Sequence, residues 1–364
     1  MSERSSVLVD ELRQLCAQSP RRLNVMEVCG THTVSIFRAG LRTLFPENLR
    51  LVSGPGCPVC VTAQRHIDAA LEIAARPDVI LCTYGDMIRV PGRRGSLERL
   101  RAYGARIQVV ASAMHALELA RTYRTTQVVF FAVGFETTAP ASAALVCEAA
   151  RHDLRNLSLL VCHKLVVPAL DALLQAPGVA LDGFLAPGHV SVIIGSRPYA
   201  PVAEVHGRPV VITGFEPEQI LSGLVAVVRQ ILAGQARVEN VYRAVVRDEG
   251  NPAALRLLDE VFEPADTAWR ELGTIPKSGL ALRPAYAHFD ALRRFDIAVG
   301  EDIVHPLCRC GEVITGRCEP AACAAFARQC TPLTPIGPCM VSGEGTCAAW
   351  YKYNRHVAAV GGAR

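Results

Sequence analysis

Short apolar runs alternate with longer amphipathic segments over most of the chain. The apolar spacing predicts an N-terminal helix over Val7–Ala17. Eight apolar runs of strand length follow Arg22: Leu23–Val28, Leu49–Ser53, Val79–Thr83, Arg106–Val110, Gln127–Val133, Leu157–Cys162, Gly183–Ala186 and Pro209–Thr213. Segments of helix length lie between them: Thr62–Ala74, Ala111–Thr122, Pro140–Arg151, Val167–Gln175 and Pro217–Ala233. This alternation predicts α/β architecture with largely parallel sheets.

Eight strands are many for one open sheet, so we predict two Rossmann-like α/β domains that divide near Gln127. The first covers residues 1–126 with the N-terminal helix, and the second covers residues 127–236. From Arg237 the pattern changes to short helices and then to irregular sequence rich in Gly, Pro and Cys. We assign residues 237–364 to a third, C-terminal domain of irregular and helical structure.

Composition and charge exclude several classes of function. The chain has 364 residues, half of them hydrophobic, and a net charge of +4, which argues against nucleic acid as the main partner. No apolar run approaches the roughly 18 residues of a membrane span, and the first residues lack the apolar core of a signal peptide. There is no phosphate-binding P-loop, dinucleotide fingerprint or nucleophile elbow. We therefore expect a cytoplasmic protein without a membrane or nucleic-acid partner.

The cysteines are unusually numerous for a cytosolic protein, where reducing conditions disfavour structural disulfides. Seven of the fourteen lie in the C-terminal domain, namely Cys308, Cys310, Cys318, Cys323, Cys330, Cys339 and Cys347. That stretch has few large apolar residues, so a cross-link must hold it. It contains no CxxC pair of the kind that zinc sites use, whereas four single cysteines can reach an iron–sulfur cluster from different directions. We predict a four-iron cluster; zinc, disulfides and free thiols are the alternatives.

Four Gly-containing turns follow predicted strands and carry the other unusual side chains. They are residues 29–33 (CGTHT), 54–60 (GPGCPVC), 134–140 (GFETTAP) and 186–190 (APGHV). In α/β sheets, functional groups gather beyond the carboxyl ends of the strands. We therefore expect these turns to converge on one cleft.

The spacing of Cys57 and Cys60 is that of a thioredoxin-like redox pair or of half a zinc site, and Cys29 could add a third sulfur. Soft thiolates favour iron, zinc or copper(I), although cysteines in turns also pack as small apolar residues. His32 and His189 could be ligands, proton carriers, hydrogen-bond donors or purely structural.

Glu136 opens a predicted helix with two threonines behind it. The threonine hydroxyls can simply cap that helix. We expect the Glu136 carboxylate to face the cleft.

Five motifs, in order along essentially the whole chain, resemble the HypD family of hydrogenase maturation factors. They are residues 26–33 (MEVCGTHT), 54–60 (GPGCPVC), 134–140 (GFETTAP), 187–190 (PGHV) and 337–342 (GPCMVS). One departure is Cys318, an extra cysteine outside the family pattern. The fold of the family is two α/β domains plus an iron–sulfur domain.

The resemblance implies a scaffold for the iron of [NiFe]-hydrogenase, a metallocentre-assembly protein with redox chemistry. On this scaffold a transient Fe(II) acquires carbon monoxide and cyanide. The implied partners are a HypC-type chaperone, a HypE-type cyanide donor and, indirectly, the hydrogenase large subunit. The implied resident cofactor is a [4Fe-4S] cluster.

The family's cysteine pattern, C-x14-C-x6-C-x16-C, falls on Cys308, Cys323, Cys330 and Cys347. By the same resemblance, Cys310 and Cys339 match redox thiols near the cluster. The cleft residues of the family correspond to Cys29, Cys57, Cys60 and His32.

We hypothesise that Cys29 and Cys60 bind Fe(II), that Cys57 assists, and that His32 or Glu136 positions or protonates the incoming ligand. A competing hypothesis is a thiol–disulfide oxidoreductase that uses Cys57 and Cys60, with the cluster as its source of electrons. A third is a structural iron–sulfur protein whose α/β units form a docking surface.

Overall fold

The computed structural model describes residues 2–303 and 305–354; the last ten residues of the predicted C-terminal domain, 355–364, lie outside the described residues. The strands are β1 Leu23–Glu27, β2 Leu49–Ser53, β3 Val79–Thr83, β4 Arg106–Val109, β5 Gln127–Gly134, β6 Leu157–His163, β7 Gly183–Pro187, β8 Val210–Thr213, β9 Val238–Asn240, β10 Phe262–Trp269 and β11 Gly273–Leu282. All eight predicted strands are confirmed to within one residue at either end.

The helices are α1 Glu3–Ala17, α2 Gly30–Arg38, α3 Pro58–Val61, α4 Gln64–Ala74, α5 Leu97–Ala102, α6 Met114–Thr122, α7 Ala139–Arg151, α8 Val166–Gln175, α9 Gly188–Ile194, α10 Ala200–His206, α11 Pro217–Leu232, α12 Pro252–Val261, α13 Ala291–Arg294, α14 Cys310–Ile314, α15 Pro338–Val341 and α16 Thr346–Tyr353. Local sequence sets their ends. At α11, Pro217 occupies the first turn and Glu216 with Gln219 forms a capping box. Within the described ranges, no helix combines the length and apolarity needed to cross a bilayer.

Two parallel sheets confirm the α/β class. Their strand orders are β2-β1-β7-β8-β9 and β4-β3-β5-β6. Numbered within its own sheet, each begins 2-1-3-4, the doubly wound order of flavodoxin-like folds. The order reverses between β1 and β7 in the first sheet and between β3 and β5 in the second. Ligand sites in such folds lie at these switch points.

A boundary at residue 127 does not separate the two sheets. β3 and β5, on either side of it, pair with each other, from Val79 opposite Gln127. β1 and β2 instead share a sheet with β7, β8 and β9, so the second sheet is inserted within the sequence of the first. The pattern of apolar runs identifies strands but contains nothing about which strands are neighbours, and for this reason the predicted domains 1–126 and 127–236 do not match the sheets.

Residues 237–303 belong to the two α/β units rather than to a cysteine-rich domain. β9 extends the first sheet, and α12 packs against α7. β10 and β11 form an antiparallel hairpin, predicted here as short helices, which packs against α8 and β6. Trp269 is fully buried and its indole N–H donates to the Ser278 hydroxyl at 2.8 Å, which joins the two strands of the hairpin.

The cysteine-rich segment, residues 305–354, packs against both α/β units. On the first, α16 lies along α2, and the rings of Phe37 and Trp350 meet edge to face at 5.7 Å. On the second, Asp86 accepts hydrogen bonds from the Ser342 hydroxyl at 2.9 Å and the Gly343 N–H at 3.2 Å. These contacts place the cysteines beside the carboxyl ends of the strands.

Candidate functional site

A thiol and an imidazole meet at the switch point of the first sheet. Cys29 follows β1, and His189 lies in the first turn of α9 after β7. The Cys29 sulfur lies 3.9 Å from Nδ1 and 3.8 Å from Nε2 of His189. The predicted convergence of the 29–33 and 186–190 turns is confirmed by this contact. A thiolate and an imidazole are both ligand types that a soft metal ion accepts.

The Cys29 sulfur is buried at the N-terminus of α2. Burial raises the pKa of the Cys29 thiol, while the His32 backbone N–H that donates to the sulfur lowers it. Without a cation the thiol therefore stays protonated at neutral pH. A metal ion beside it would favour the thiolate and release the proton.

Glu27, the last residue of β1, fixes the Cys29 turn and was not singled out from the sequence. It is only 1% exposed, and its carboxylate accepts from the Cys29 N–H at 3.2 Å and from the Thr33 hydroxyl. Burial raises the pKa of Glu27 to about 7, against its hydrogen bonds and the nearby Arg42 charge. A carboxylate inside a buried strand is the sequence signal that could have identified it, because such groups need partners.

His32 is a neutral side chain in this environment. Its Nε2 lies 2.9 Å from the Gly214 carbonyl, so Nε2 carries the proton and donates it. Nδ1 is buried and has no hydrogen-bond partner. Burial lowers the pKa of His32 to about 4. At neutral pH the ring therefore stays neutral, and its bare Nδ1 can accept a hydrogen bond but has no proton to give.

Phe215 is a second residue that sequence reasoning missed. Its ring lies between two imidazoles, with centroids 4.7 Å from His32 and 5.0 Å from His189. It follows β8 in a second Gly-Phe-Glu sequence, residues 214–216, which repeats residues 134–136. That repeat was the available signal. The ring holds both histidines at fixed orientations beside Cys29.

We expect Phe215→Ala to destabilise the protein by about 1–3 kcal/mol, because two ring contacts and the apolar contacts of a half-buried aromatic side chain are lost. Urea unfolding followed by circular dichroism measures this. Phe215→Leu keeps much of the apolar contact and serves as the control, with a smaller loss. Equal losses in the two variants would show that the ring stacking contributes nothing.

Glu136 lies at the switch point of the second sheet, after β5. One carboxylate oxygen accepts from the Val166 N–H at 2.9 Å, and the other is buried without a partner. Burial raises the pKa of Glu136 to about 7. Burial also raises the pKa of the Tyr199 phenol, and the Glu136 and Cys29 charges raise it further, so Tyr199 lies near both groups. Glu136 is thus enclosed and close to half-protonated at neutral pH.

The raised pKa predicts a pH-dependent effect of Glu136→Gln. Because the pKa is higher in the folded chain than the usual 4.5, the stabilising contribution of the protonated carboxyl is fully present below pH 4.5 and lost as pH rises through 7. Glutamine keeps the Val166 hydrogen bond and stays neutral. We expect the free energy of unfolding of the variant to exceed that of the wild type by about 2 kcal/mol at pH 8. This difference should shrink progressively toward pH 5.

Urea unfolding of both proteins from pH 5 to pH 8 measures the difference. Glu249→Gln, at an exposed carboxylate, is the matched control and should show no such trend. A difference between Glu136→Gln and the wild type that stays constant over this range would contradict the prediction.

The second part of the site is a series of neighbouring cysteine sulfurs, Cys57, Cys60, Cys339 and Cys310, which starts at the CxxC turn. Cys57 caps α3, and its sulfur accepts from the Cys60 N–H at 3.3 Å. The Cys60 sulfur is within hydrogen-bonding reach of the sulfurs of Cys57 and Cys339. The Cys310 and Cys339 sulfurs lie 3.0 Å apart in the buried interior.

Gly56 brings the CxxC turn against the Cys29 turn. A Cβ atom at residue 56 would lie 2.2 Å from the Cys29 backbone nitrogen. This distance is too short for any side chain at residue 56. The Gly30 N–H donates to the Gly56 carbonyl at 3.3 Å. The two turns are therefore neighbours, as predicted, and only glycine permits that approach.

Six cysteines line one pocket in the cysteine-rich segment: Cys308, Cys310, Cys323, Cys330, Cys339 and Cys347. Most of the other side chains that line it are apolar, such as Phe326 and Met340, and Arg309 also lines it. Cys318 faces a different pocket, with Arg42 and Arg50. The structure thus separates the extra cysteine from the six to which the sequence analysis gave roles.

Within residues 2–303 and 305–354, no three His, Cys, Asp or Glu side chains are grouped to close on a single metal ion. Ligands of one ion lie within roughly 4 Å of each other, because a metal–sulfur bond is about 2.3 Å long. Thiolates that hold a four-iron cluster bind separate iron atoms and lie farther apart. The six cysteines around this pocket are more than the four thiolates that such a cluster needs.

Comparison with known proteins gives one consistent answer. The family described as "HypD: Hydrogenase formation hypA family" matches residues 3–354. Hydrogenase maturation factor HypD of Escherichia coli K12 is 46% identical over 353 residues, which cover 96% of this chain and 95% of the relative. The HypD of Rhodobacter capsulatus is 45% identical over 347 residues, with 93% and 92% covered. A putative hydrogenase expression/formation protein of Methanocaldococcus jannaschii is 40% identical over 347 residues, with 95% and 96% covered.

Proposed function

Because the chain belongs to the HypD family of hydrogenase maturation factors, we propose that it is the scaffold on which the iron of a [NiFe]-hydrogenase acquires its diatomic ligands. The iron is the substrate, an Fe(II) ion that receives cyanide and carbon monoxide and then leaves. The observation that carries the proposal is the contact between the Cys29 sulfur and the His189 ring at the switch point of the first sheet. A thiolate with an imidazole is a donor set suited to iron.

Cys29 and Cys60 are the thiolate ligands that we assign to the substrate iron, with Cys57 assisting and His189 beside Cys29. Cys29 is the residue at the N-terminus of α2, where the positive end of the helix dipole favours a thiolate. Cyanide is also an anion, so the same helix end favours its approach. The buried turn around Cys29 excludes water from the iron and its strong-field ligands.

One side chain handles protons in this proposal, and a second positions the incoming ligand. The bare Nδ1 of His32 accepts a hydrogen bond, because burial lowers the pKa of the ring to about 4 and keeps it neutral. Glu136, with its pKa near 7, can hold or release a proton close to Tyr199. The expected role of His32 as a proton donor does not suit its neutral state, whereas Glu136 suits it better.

The cysteine pocket fits the resident cofactor that the family implies. Cys308, Cys323, Cys330 and Cys347 would hold a [4Fe-4S] cluster, and the apolar wall suits a buried inorganic centre. When bound, the cluster supplies electrons. Cys310 and Cys339 lie in the same pocket and remain free as thiols.

The sulfur series can return Cys57 and Cys60 to the thiol state by exchange. A Cys339 thiolate attacks the Cys60 sulfur of a Cys57–Cys60 disulfide, which forms a Cys60–Cys339 disulfide and releases the Cys57 thiolate. Cys310 then attacks Cys339, which forms a Cys310–Cys339 disulfide and releases Cys60. Two electrons thereby pass from Cys310 and Cys339 to the CxxC pair, and the 3.0 Å contact between Cys310 and Cys339 suits the second step.

Partners complete the proposal. We propose that a HypC-type chaperone adds a further ligand and shields the iron, that a HypE-type protein delivers cyanide, and that the hydrogenase large subunit receives the product. Iron–thiolate centres react with oxygen, so a protein docked over the entrance to this buried site would protect the iron.

Infrared spectroscopy tests the proposal on protein purified without oxygen together with its HypC-type partner. Bands of iron-bound cyanide and carbon monoxide are expected. Cys318→Ser, at the cysteine outside the pocket, should show the same bands and serves as the control. If these bands are missing from protein isolated from cells that make active [NiFe]-hydrogenase, the scaffold function is refuted.

A thiol–disulfide oxidoreductase is the second candidate function, favoured by the continuous series Cys57, Cys60, Cys339 and Cys310. It needs neither Cys29 nor His189. The two candidates therefore make opposite predictions for variants of Cys29.

A further inference from the structure

Cys318, the extra cysteine of this chain, lies at a junction that contains three arginines. The junction is formed by β2 of the first α/β unit and by residues 313–320 of the cysteine-rich segment. Two adjoining cavities lie there, and Arg50 lines both of them. Arg42 and Cys318 line the inner cavity, and Arg317 lines the outer one. Nothing in the proposed iron chemistry uses these arginines.

Arg42 carries a charge that lacks an anionic partner. Its guanidinium lies over two aromatic rings, 4.7 Å from the centroid of Phe37 and 5.5 Å from that of Trp350. Its Nε is buried without a hydrogen-bond partner, and the side chain makes no ion pair within the described residues. Burial lowers the pKa of Arg42, against the more distant charges of Glu27 and Glu319. An anion in the junction would stabilise this charge.

Arg50 and Arg317 are oriented by contacts that leave most of their N–H groups free. Arg50 donates to the Gly316 carbonyl at 3.0 Å and lies 3.9 Å from the Glu319 carboxylate. The Nε of Arg317 donates to the Thr315 hydroxyl at 3.0 Å. Arg317 makes no ion pair in the part of the chain that the structure describes. Each guanidinium has further donors in a fixed fork, which matches phosphate and carboxylate oxygens.

The junction stays positive after its acids are counted. Among the described residues that line the two cavities, the charged ones are Arg42, Arg50, Arg317 and Glu319, a net charge of +2. Glu27 lines neither cavity, and its oxygens are occupied by the hydrogen bonds that fix the Cys29 turn. A net charge of +2 matches a dianion, such as the phosphate group of a monoester.

The outer cavity has the size and the walls of a small-molecule site. Its volume is about 320 Å³, whereas ligand sites start at roughly 300 Å³. Apolar side chains from residues 179–181 and from Val52 form much of its wall. The inner cavity, of about 20 Å³, has room for one water-sized group. Arg42 therefore adds its charge from behind Arg50 rather than by contact with a large ligand.

We propose that the outer cavity, the Arg50–Arg317 cavity, binds a small phosphate monoester. The phosphate pairs with the guanidinium groups of Arg50 and Arg317, and the organic part of the ligand lies against Val179 and Leu181. Arg50 belongs to β2, whereas Arg317 belongs to the cysteine-rich segment. A bound phosphate therefore holds that segment against the first sheet.

Isothermal titration calorimetry of the full chain tests the proposal, with phenyl phosphate as the probe. The measurement is made at pH 8, where a phosphate monoester carries nearly two negative charges. Benzoate, with one charge, should bind about tenfold more weakly at the same ionic strength, because it loses part of the charge-assisted pairing. Inorganic phosphate should also bind more weakly, because it makes no contact with the apolar wall.

Hydrogen exchange with and without phenyl phosphate locates the contact. Residues 178–182 and 315–317 should exchange more slowly when the ligand is bound, because they form the walls of the Arg50–Arg317 cavity. Protection confined to other parts of the chain would contradict the proposed location.

Arg317→Gln should weaken the binding of phenyl phosphate about tenfold, because one charge-assisted pair is lost. The Arg317 side chain is exposed, so its replacement leaves the packing intact. Arg50→Gln should weaken binding at least as much, and circular dichroism verifies that this variant is folded. Arg256→Gln, the matched control, removes the same charge at an exposed position elsewhere and should leave the affinity unchanged.

Three results would overturn the proposal: no saturable binding of phenyl phosphate to the wild type, equal binding of benzoate, or equal binding of inorganic phosphate. An equal loss in Arg317→Gln and Arg256→Gln would also overturn it, because the attraction would then be to overall charge. None of these measurements involves iron, so the phosphate site and the scaffold function fail or stand separately.

Discussion

Replacing Cys29 by alanine should abolish the retention of iron-bound cyanide and carbon monoxide. The variant removes the sulfur that meets His189 and that the α2 N-terminus favours as a thiolate. We expect infrared bands below one-tenth of the wild-type intensity and no mature hydrogenase in cells that depend on the variant. Infrared spectra and hydrogenase activity of the complemented cells measure the two effects.

Cys29→Ser separates the loss of the sulfur as a ligand from the loss of side-chain volume at this position. The hydroxyl fills the same space but is a poor ligand for iron, so the bands should still be lost. Cys16→Ser, at a buried cysteine of α1 that packs in a different apolar core from Cys57 and Cys60, is the control for replacing a buried thiol. Retention of the bands in Cys29→Ala would refute the assignment of Cys29 as a ligand.

The same variant decides between the two candidate functions. An oxidoreductase that uses Cys57 and Cys60 keeps its dithiol activity in Cys29→Ala, and hydrogenase maturation would continue. The scaffold loses maturation even though the CxxC pair still cycles between thiol and disulfide. A structural iron–sulfur protein would tolerate both Cys29→Ala and Cys60→Ala.

Replacing Cys339 by serine should slow the reduction of a Cys57–Cys60 disulfide at least 100-fold. Cys339 is the sulfur that contacts both Cys60 and Cys310, so its loss interrupts the series between the cysteine pocket and the CxxC turn. The variant keeps Cys308, Cys323, Cys330 and Cys347. The visible absorption of a cluster held by these four should therefore be unchanged.

Anaerobic reduction followed by rapid alkylation and mass spectrometry measures the thiol state of Cys57 and Cys60 over time. Cys318→Ser is the matched control, because it lies in the same segment but outside the pocket. Wild-type rates in Cys339→Ser would show that electrons reach the CxxC pair by another path. Loss of the absorption would show instead that Cys339 belongs to the ligand set.

The strands were predictable because nearly every residue of β3 and β5 is buried, and a fully apolar run bounded by turns indicates a buried parallel strand. The hairpin of β10 and β11 was not predictable in the same way. Between its buried ends, the first strand alternates half-buried and exposed residues and contains a proline, so its apolar signal is weak.

The candidate site was predictable where chemistry is visible in a residue type and a turn. The Cys29, Cys57 and Cys60 turns follow strands, and the rule about carboxyl ends brings them together. Phe215 and Tyr199 were missed because their roles depend on contacts between distant parts of the chain. The neutral state of His32 likewise depends on burial beneath Phe215 and Gly214, which no local pattern contains.

The interleaved sheets also determine when each part can form during synthesis. The second sheet is continuous in sequence, from Val79 to His163, so it can fold as soon as those residues leave the ribosome. β1 and β2 must wait for β7, β8 and β9 before their sheet is complete. Cys29 thus acquires its imidazole neighbour only in a late nascent chain, and the cysteine pocket closes last of all. A ribosome that stalls in between holds a chain with a folded middle and no place for iron.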